Sequence, residues 1–95
     1  MRSHSMKFKP NLGVFVCPHV FKDTRPVLLV VHEDGEWQCL CGQGDHLDDG
    51  HLVGMGHLVN RDPSIDDLYD LPEGWEAERE SLSHNWLRCK SEFDG

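Results

Sequence analysis

The stretch PVLLVVHEDGEWQCLC, Pro26 to Cys41, decides how the rest of this 95-residue chain must be arranged. Pro26 to His32 contains an apolar run of strand length, and such a run fits a strand covered on both faces. It should be central. Asp34-Gly35 is the strongest hairpin signal in the chain, because a two-residue turn with positive φ at both positions favours Asp or Asn followed by Gly. Glu36 to Cys41 should therefore return antiparallel to the first run. Side chains alternate along a strand, so Trp37, Cys39 and Cys41 share one face and Glu36, Gln38 and Leu40 the other. The first face is the buried one.

Working outward, Gly13 to Cys17 is a second strand candidate, rich in β-branched and aromatic residues and stopped by Pro18. Beyond the hairpin, Gly42 to Gly50 is a polar Gly/Asp loop whose acids lack the ligand order of an EF-hand. His51 to Gly56 is a weaker strand candidate containing two glycines. Ser64 with Asp67 three residues on reads as a capping box, reinforced by Asp62 and Pro63. Ile65, Leu68 and Tyr69 then recur at helical spacing until Pro72. Trp75 to Leu82 has the composition of a further helical turn or two, and His84 to Cys89 of a last strand anchored by Trp86. The expected fold class is α+β, with an antiparallel sheet of three to five strands and one or two short helices. One domain spans 11–90, after a flexible segment 1–10 and before a flexible tail 91–95. Met1 to Ser5 read as a remnant of cloning, with Met6 the natural start.

Charge limits the function. The chain has 17 acids against nine Lys and Arg, a formal charge of −8. It is unevenly spread. Arg2, Lys7, Lys9, Lys22 and Arg25 precede Pro26 with only Asp23 opposing them. Asp62, Asp66, Asp67, Asp70, Glu73, Glu76, Glu78 and Glu80 crowd one segment against Arg79 alone. Such a field repels nucleic acid and anionic membranes and attracts basic partners. The longest apolar run, Val27 to Val31, is far below the roughly 20 residues a membrane-spanning helix needs. No cleavable leader is read. A soluble, cytoplasmic setting is expected, with Cys17, Cys39, Cys41 and Cys89 reduced.

Part of the acidity has a local structural use. Asp62, Asp66 and Asp67 in a first helical turn would each interact favourably with its positive end by about 0.3–1 kcal/mol. Asp70, Glu73, Glu76, Glu78 and Glu80 have no such use, and a docking face is the functional alternative. Asp66, Asp67, Tyr69, Asp70, Glu73, Trp75 and Glu76 are therefore the candidate partner-binding residues, with Trp75 or Tyr69 as apolar anchors. Trp37 and Trp86 are assigned to the core. No phosphate loop, nucleophile elbow or His-Glu-x-x-His is present, and Cys17 and His19, two apart on one strand, are poorly aimed at each other for nucleophilic catalysis. Among the seven histidines, His4, His46, His51 and His84 are assigned to loops facing water.

A second reading uses the sulfur. Cys17-Pro-His19 and Cys39-Leu-Cys41 are two ligand pairs that adjacent strand ends could unite in a four-ligand zinc site with a structural or regulatory role. Against it, Cys39 and Cys41 beside Trp37 also suit a core, where cysteine acts as a small hydrophobe.

The block RDPSIDDLYDLPEGWEAERE, preceded by DGEWQCLCGQGD and HLVGMGHLVN, resembles small bacterial proteins grouped with the immunity proteins of polymorphic toxin systems. The likeness covers residues 32–80 at Trp37, Gly42, Asp45, Asp62, Pro63, Ser64, Ile65, Leu68, Pro72, Gly74, Glu78 and Arg79. Cys39-Leu40-Cys41 departs from it, replacing an aromatic residue and a serine. The resemblance implies a non-catalytic inhibitor, without cofactor or metal, that binds and neutralises a protein partner, a basic toxin domain.

Overall fold

In the computed structural model, residues 6–42 and 50–90 are described. The His4 and His46 assignments, Asp45, most of the Gly42–Gly50 loop and the 91–95 tail lie outside them. The element order is β1 (Gly13–Val16), α1 (Pro18–Phe21), β2 (Leu29–Glu33), β3 (Glu36–Leu40), β4 (His51–Gly54), α2 (Met55–Arg61), a 3₁₀ helix (Pro63–Leu68), β5 (Trp75–Glu78) and β6 (Leu87–Lys90).

The hairpin forms where the sequence places it. Asp34 and Gly35 have φ of 54° and 77°, and Glu33 pairs with Glu36. These two strands are the middle of one six-stranded sheet of order β4-β1-β3-β2-β5-β6. The α+β class holds, but the sheet is larger than the expected three to five strands and is mixed. β1 runs parallel to β3, pairing Phe15 with Gln38 and Val16 with Cys39. The connection through α1 and residues 22–28 leads into β2, which runs opposite to β1, and the hairpin then turns the chain into β3, which lies between them and parallel to β1.

Two segments depart from expectation. Trp75 to Leu82 was expected to be helical, but Trp75–Glu78 is a strand, pairing antiparallel with β2 from His32↔Trp75 to Leu29↔Glu78. Its apolar period is two: Ala77 and Arg79 are buried and Glu78 is exposed. An unfilled sheet edge outweighs the modest helix preference of Glu and Ala. His51 to Gly56 divides instead, β4 ending at Gly54 and α2 beginning at Met55. No side chain caps α2; the Met55 and Gly56 amides donate to the carbonyls of Leu12 and Pro10 at 2.8 and 2.9 Å. A Cβ on Gly56 would meet Pro10 atoms at 3.0–3.2 Å, so glycine at the helix start lets the backbones approach.

The expected capping box is also displaced. Asp62, not Ser64, caps the 3₁₀ helix, accepting from the Ser64 amide at 3.2 Å and the Ser64 hydroxyl at 2.7 Å. At the N-terminal end, Phe8 is buried against the edge of Trp37 with ring centroids 4.9 Å apart. Packing therefore begins inside the segment 1–10 that was expected to be flexible.

The sheet has two unlike faces. Val16, Cys39, Val30 and Ala77 align across β1, β3, β2 and β5, each at most 1% exposed. They share one core cluster with Val20, Met55, Leu58, Ile65 and Leu68 from the helices. On the other face Leu52, Phe15, Gln38, Val31, Glu76 and Cys89 align across all six strands. Phe15, Leu52 and Leu87 on that side are 41%, 64% and 67% exposed.

Candidate functional site

The seven residues expected to contact a partner do not form one patch. Asp66 and Asp67 sit in the 3₁₀ helix, with Tyr69 and Asp70 just after it. Glu73 is on the turn before β5. Trp75 and Glu76, adjacent on β5, face opposite sides of the sheet: Trp75 packs against the core cluster, whereas Glu76 aligns with Val31 and Cys89 on the open face.

Several of these acids bond within the fold. Asp66 accepts from the amides of Lys7, at 2.8 Å, and Phe8, at 3.0 Å, fastening the N-terminal chain over the 3₁₀ helix. Asp70 pairs with Arg88 at 2.9 Å, and Arg88 also donates to the Asp67 carbonyl. The Glu73 carboxylate accepts from the Gly35 amide at the hairpin turn. Tyr69, 48% exposed, lies beneath the Lys7 ammonium. Three carboxylates expected on the surface, Asp66, Asp70 and Glu73, are also backbone fasteners or ion-pair partners.

Arg79 is the residue that charge counting undervalues. It is 7% exposed and contacts Asp62 at 2.5 Å, the Ser64 hydroxyl at 2.8 Å and the Val27 carbonyl at 2.9 Å. Its guanidinium lies 4.0 Å from the Trp86 ring, and Trp86 donates to the Ser64 carbonyl at 3.2 Å. Partial burial pushes the Asp62 carboxyl up, but the Ser64 hydroxyl, the Arg79 hydrogen bond and charge, and the Ser64 amide together hold it below the ordinary 3.8. The signal was present in the sequence: a lone cation among eight acids, three residues beyond Glu76 on the covered side of an alternating strand.

A second polar cluster lies at the far end of the parallel pair. Cys17 precedes α1 as its N-cap residue and His19 is in its only turn; Cys41 follows β3. Because β1 and β3 run the same way with Val16 beside Cys39, both strands deliver their C-terminal ends to one place. One ligand atom from each of Cys17, His19 and Cys41 lies within 4.8 Å of the others. The Cys41 sulfur is 3.8 Å from His19 Nδ1 and accepts from Arg25 at 3.8 Å. Cys39, the fourth ligand expected from sequence, is elsewhere: it is fully buried in the core, where burial pushes its thiol up to about 12. Of the histidines assigned to water, His84 is exposed beside Ser81 and Glu80. His51 is half-buried, stacked on Phe21 with ring centroids 4.0 Å apart.

Among the described residues, no helix is long and apolar enough to cross a membrane. No protein-family model, curated protein or solved structure matches the chain.

Proposed function

We propose that this chain is a non-catalytic protein-binding module of the immunity type, which docks a basic protein partner, a toxin domain, on the open face of its sheet. One observation carries the reading: apolar and acidic side chains are interleaved on that face. Phe15, Leu52 and Leu87 are exposed there, and the alternation that places them also places Glu33, Glu36, Glu76 and Glu78 on the same side. A protein interface requires an apolar centre that excludes water, and charges around it that select the partner. Net charge of −8 would steer a cationic partner toward this surface and raise its association rate. Of the seven expected contact residues, Glu76 belongs to this face. Asp66 and Asp67 in the 3₁₀ helix and Asp70 just after it add to the long-range negative field, with Tyr69 beside them.

The resemblance over residues 32–80 supplies the partner class. Co-expression with basic proteins encoded by the adjacent reading frames, followed by association kinetics over a salt series, tests the proposal. The expected result is a stable complex whose association slows steeply with salt and whose dissociation accelerates at least tenfold in Phe15→Ser/Leu87→Ser. Salt-indifferent association, or a complex untouched by the double substitution, counts against it.

A further inference from the structure

We infer that Cys17, His19 and Cys41 form a zinc site at the corner where β1, α1 and β3 meet. This rests on a different part of the molecule from the open sheet face, so either proposal can fail alone.

The geometry comes first. Tetrahedral zinc, with Zn–S of about 2.3 Å and Zn–N of about 2.0 Å, holds its ligand atoms roughly 3.5–3.8 Å apart. The Cys41 sulfur and His19 Nδ1 are already 3.8 Å apart, and all three donors fit within 4.8 Å. Closing the trio around an ion therefore needs shifts of about 1 Å or less, within the reach of side-chain torsions.

The frame is the second consideration. Cys17 and Cys41 leave paired parallel strands, and both are buried, at 2% and 1% exposure. His19 is half-buried one residue beyond Pro18, whose ring fixes the first turn of α1. The trio is thus held by the ladder and a proline-started turn, unlike the loop knuckles of most structural zinc sites.

Donor chemistry decides the metal. Two sulfurs and an imidazole are soft and borderline ligands, suited to zinc and unsuited to magnesium or calcium. None of the cysteines is in a disulfide. On binding, the two thiols lose their protons to solvent while the imidazole coordinates as the neutral base, leaving a zinc–dithiolate unit without net charge. Arg25, donating toward the Cys41 sulfur, is placed to hydrogen-bond the thiolate as an outer-shell partner that strengthens and orients it. Water or a donor beyond the trio takes the fourth position.

A Cys17–Cys41 disulfide or a plain thiol–imidazole hydrogen bond would use the same proximity, so the experiment must separate them from zinc. The full chain is purified without chelator under a non-thiol reductant and titrated with Zn²⁺ in competition with a chromophoric chelator, and in parallel with Co²⁺. The expected result is one equivalent of metal, with intense thiolate-to-cobalt absorption and the visible bands of a tetrahedral site. Cys41→Ser and His19→Ala should each weaken zinc by at least about 100-fold, since each removes a ligand outright. Cys39→Ser should retain the full equivalent. Should a ligand variant fail to fold, the wild-type cobalt spectrum decides. Reduced wild-type protein that takes up neither ion, a cobalt spectrum without sulfur charge transfer, or equal zinc affinity in Cys41→Ser would overturn the site.

Discussion

The two polar clusters on the covered side of the sheet are built on opposite plans. Around Arg79 the chain brings together a cation, a carboxylate, a hydroxyl, a carbonyl and an aromatic face. Around Cys41 it brings together three electron-pair donors, Cys17, His19 and Cys41 itself, with Arg25 donating from one side. The first cluster balances its own charge and joins the segment leading into β2, the 3₁₀ helix and the segment carrying Trp86. The second converges donors as a cation-binding cage does. The difference teaches where burial of polar groups serves the fold alone and where it points to an added ion.

The largest expected effect breaks the first cluster. Asp62→Ala leaves the Arg79 guanidinium buried without its counter-charge, and losing one partner of a buried pair costs about 3–5 kcal/mol. Because Asp62 is 21% exposed, the lower end, roughly 3 kcal/mol, is expected. That is a large share of a small domain's 5–15 kcal/mol or so. Urea unfolding measures it, and the loss should be the same with zinc or with a chelator. A zinc-dependent loss would mean the two clusters are not independent.

The next effect is in acid. Asp62 has its pKa lowered in the fold, so the unfolded chain holds the proton more tightly and stability falls as pH drops. The contribution is fully present above the unfolded value near 3.8 and is lost as pH falls through the lower folded one. Asp62→Asn should flatten that limb of a stability–pH curve below about pH 4; an unchanged limb would assign it to other carboxylates. The smallest effect sharpens the contrast from outside. Asp70 and Arg88 are paired but well exposed, at 56% and 36%, so Asp70→Asn should cost less than about 0.5 kcal/mol by urea unfolding.

Sequence legibility follows the range of the forces involved. The Asp34-Gly35 hairpin, the buried face of Trp37, Cys39 and Cys41, and the central place of β2 are local or follow from a period of two, and each is read directly. β5 was hidden because Glu76, Ala77 and Glu78 favour a helix in isolation, and only the edge of β2 makes them a strand. α2 was hidden because its first turn contains Gly56 and takes its caps from Pro10 and Leu12, more than forty residues away in sequence. The sulfur cluster was half legible. Cys17, His19 and Cys41 could be named as ligands, but removing Cys39 required the register that sets it beside Val16 within the parallel pair and leaves Cys41 past the strand end, near Cys17. The acidic segment was read as one surface because spacing cannot show that Asp62 meets Arg79, or that Asp66 ties down Lys7 and Phe8.

The contrast between a self-balanced cluster and a donor cage is tested most directly by zinc K-edge X-ray absorption on reduced protein loaded with one equivalent of Zn²⁺. The account predicts a first shell with two sulfurs at about 2.3 Å and an imidazole nitrogen at about 2.0 Å. A shell of oxygen and nitrogen alone would contradict it.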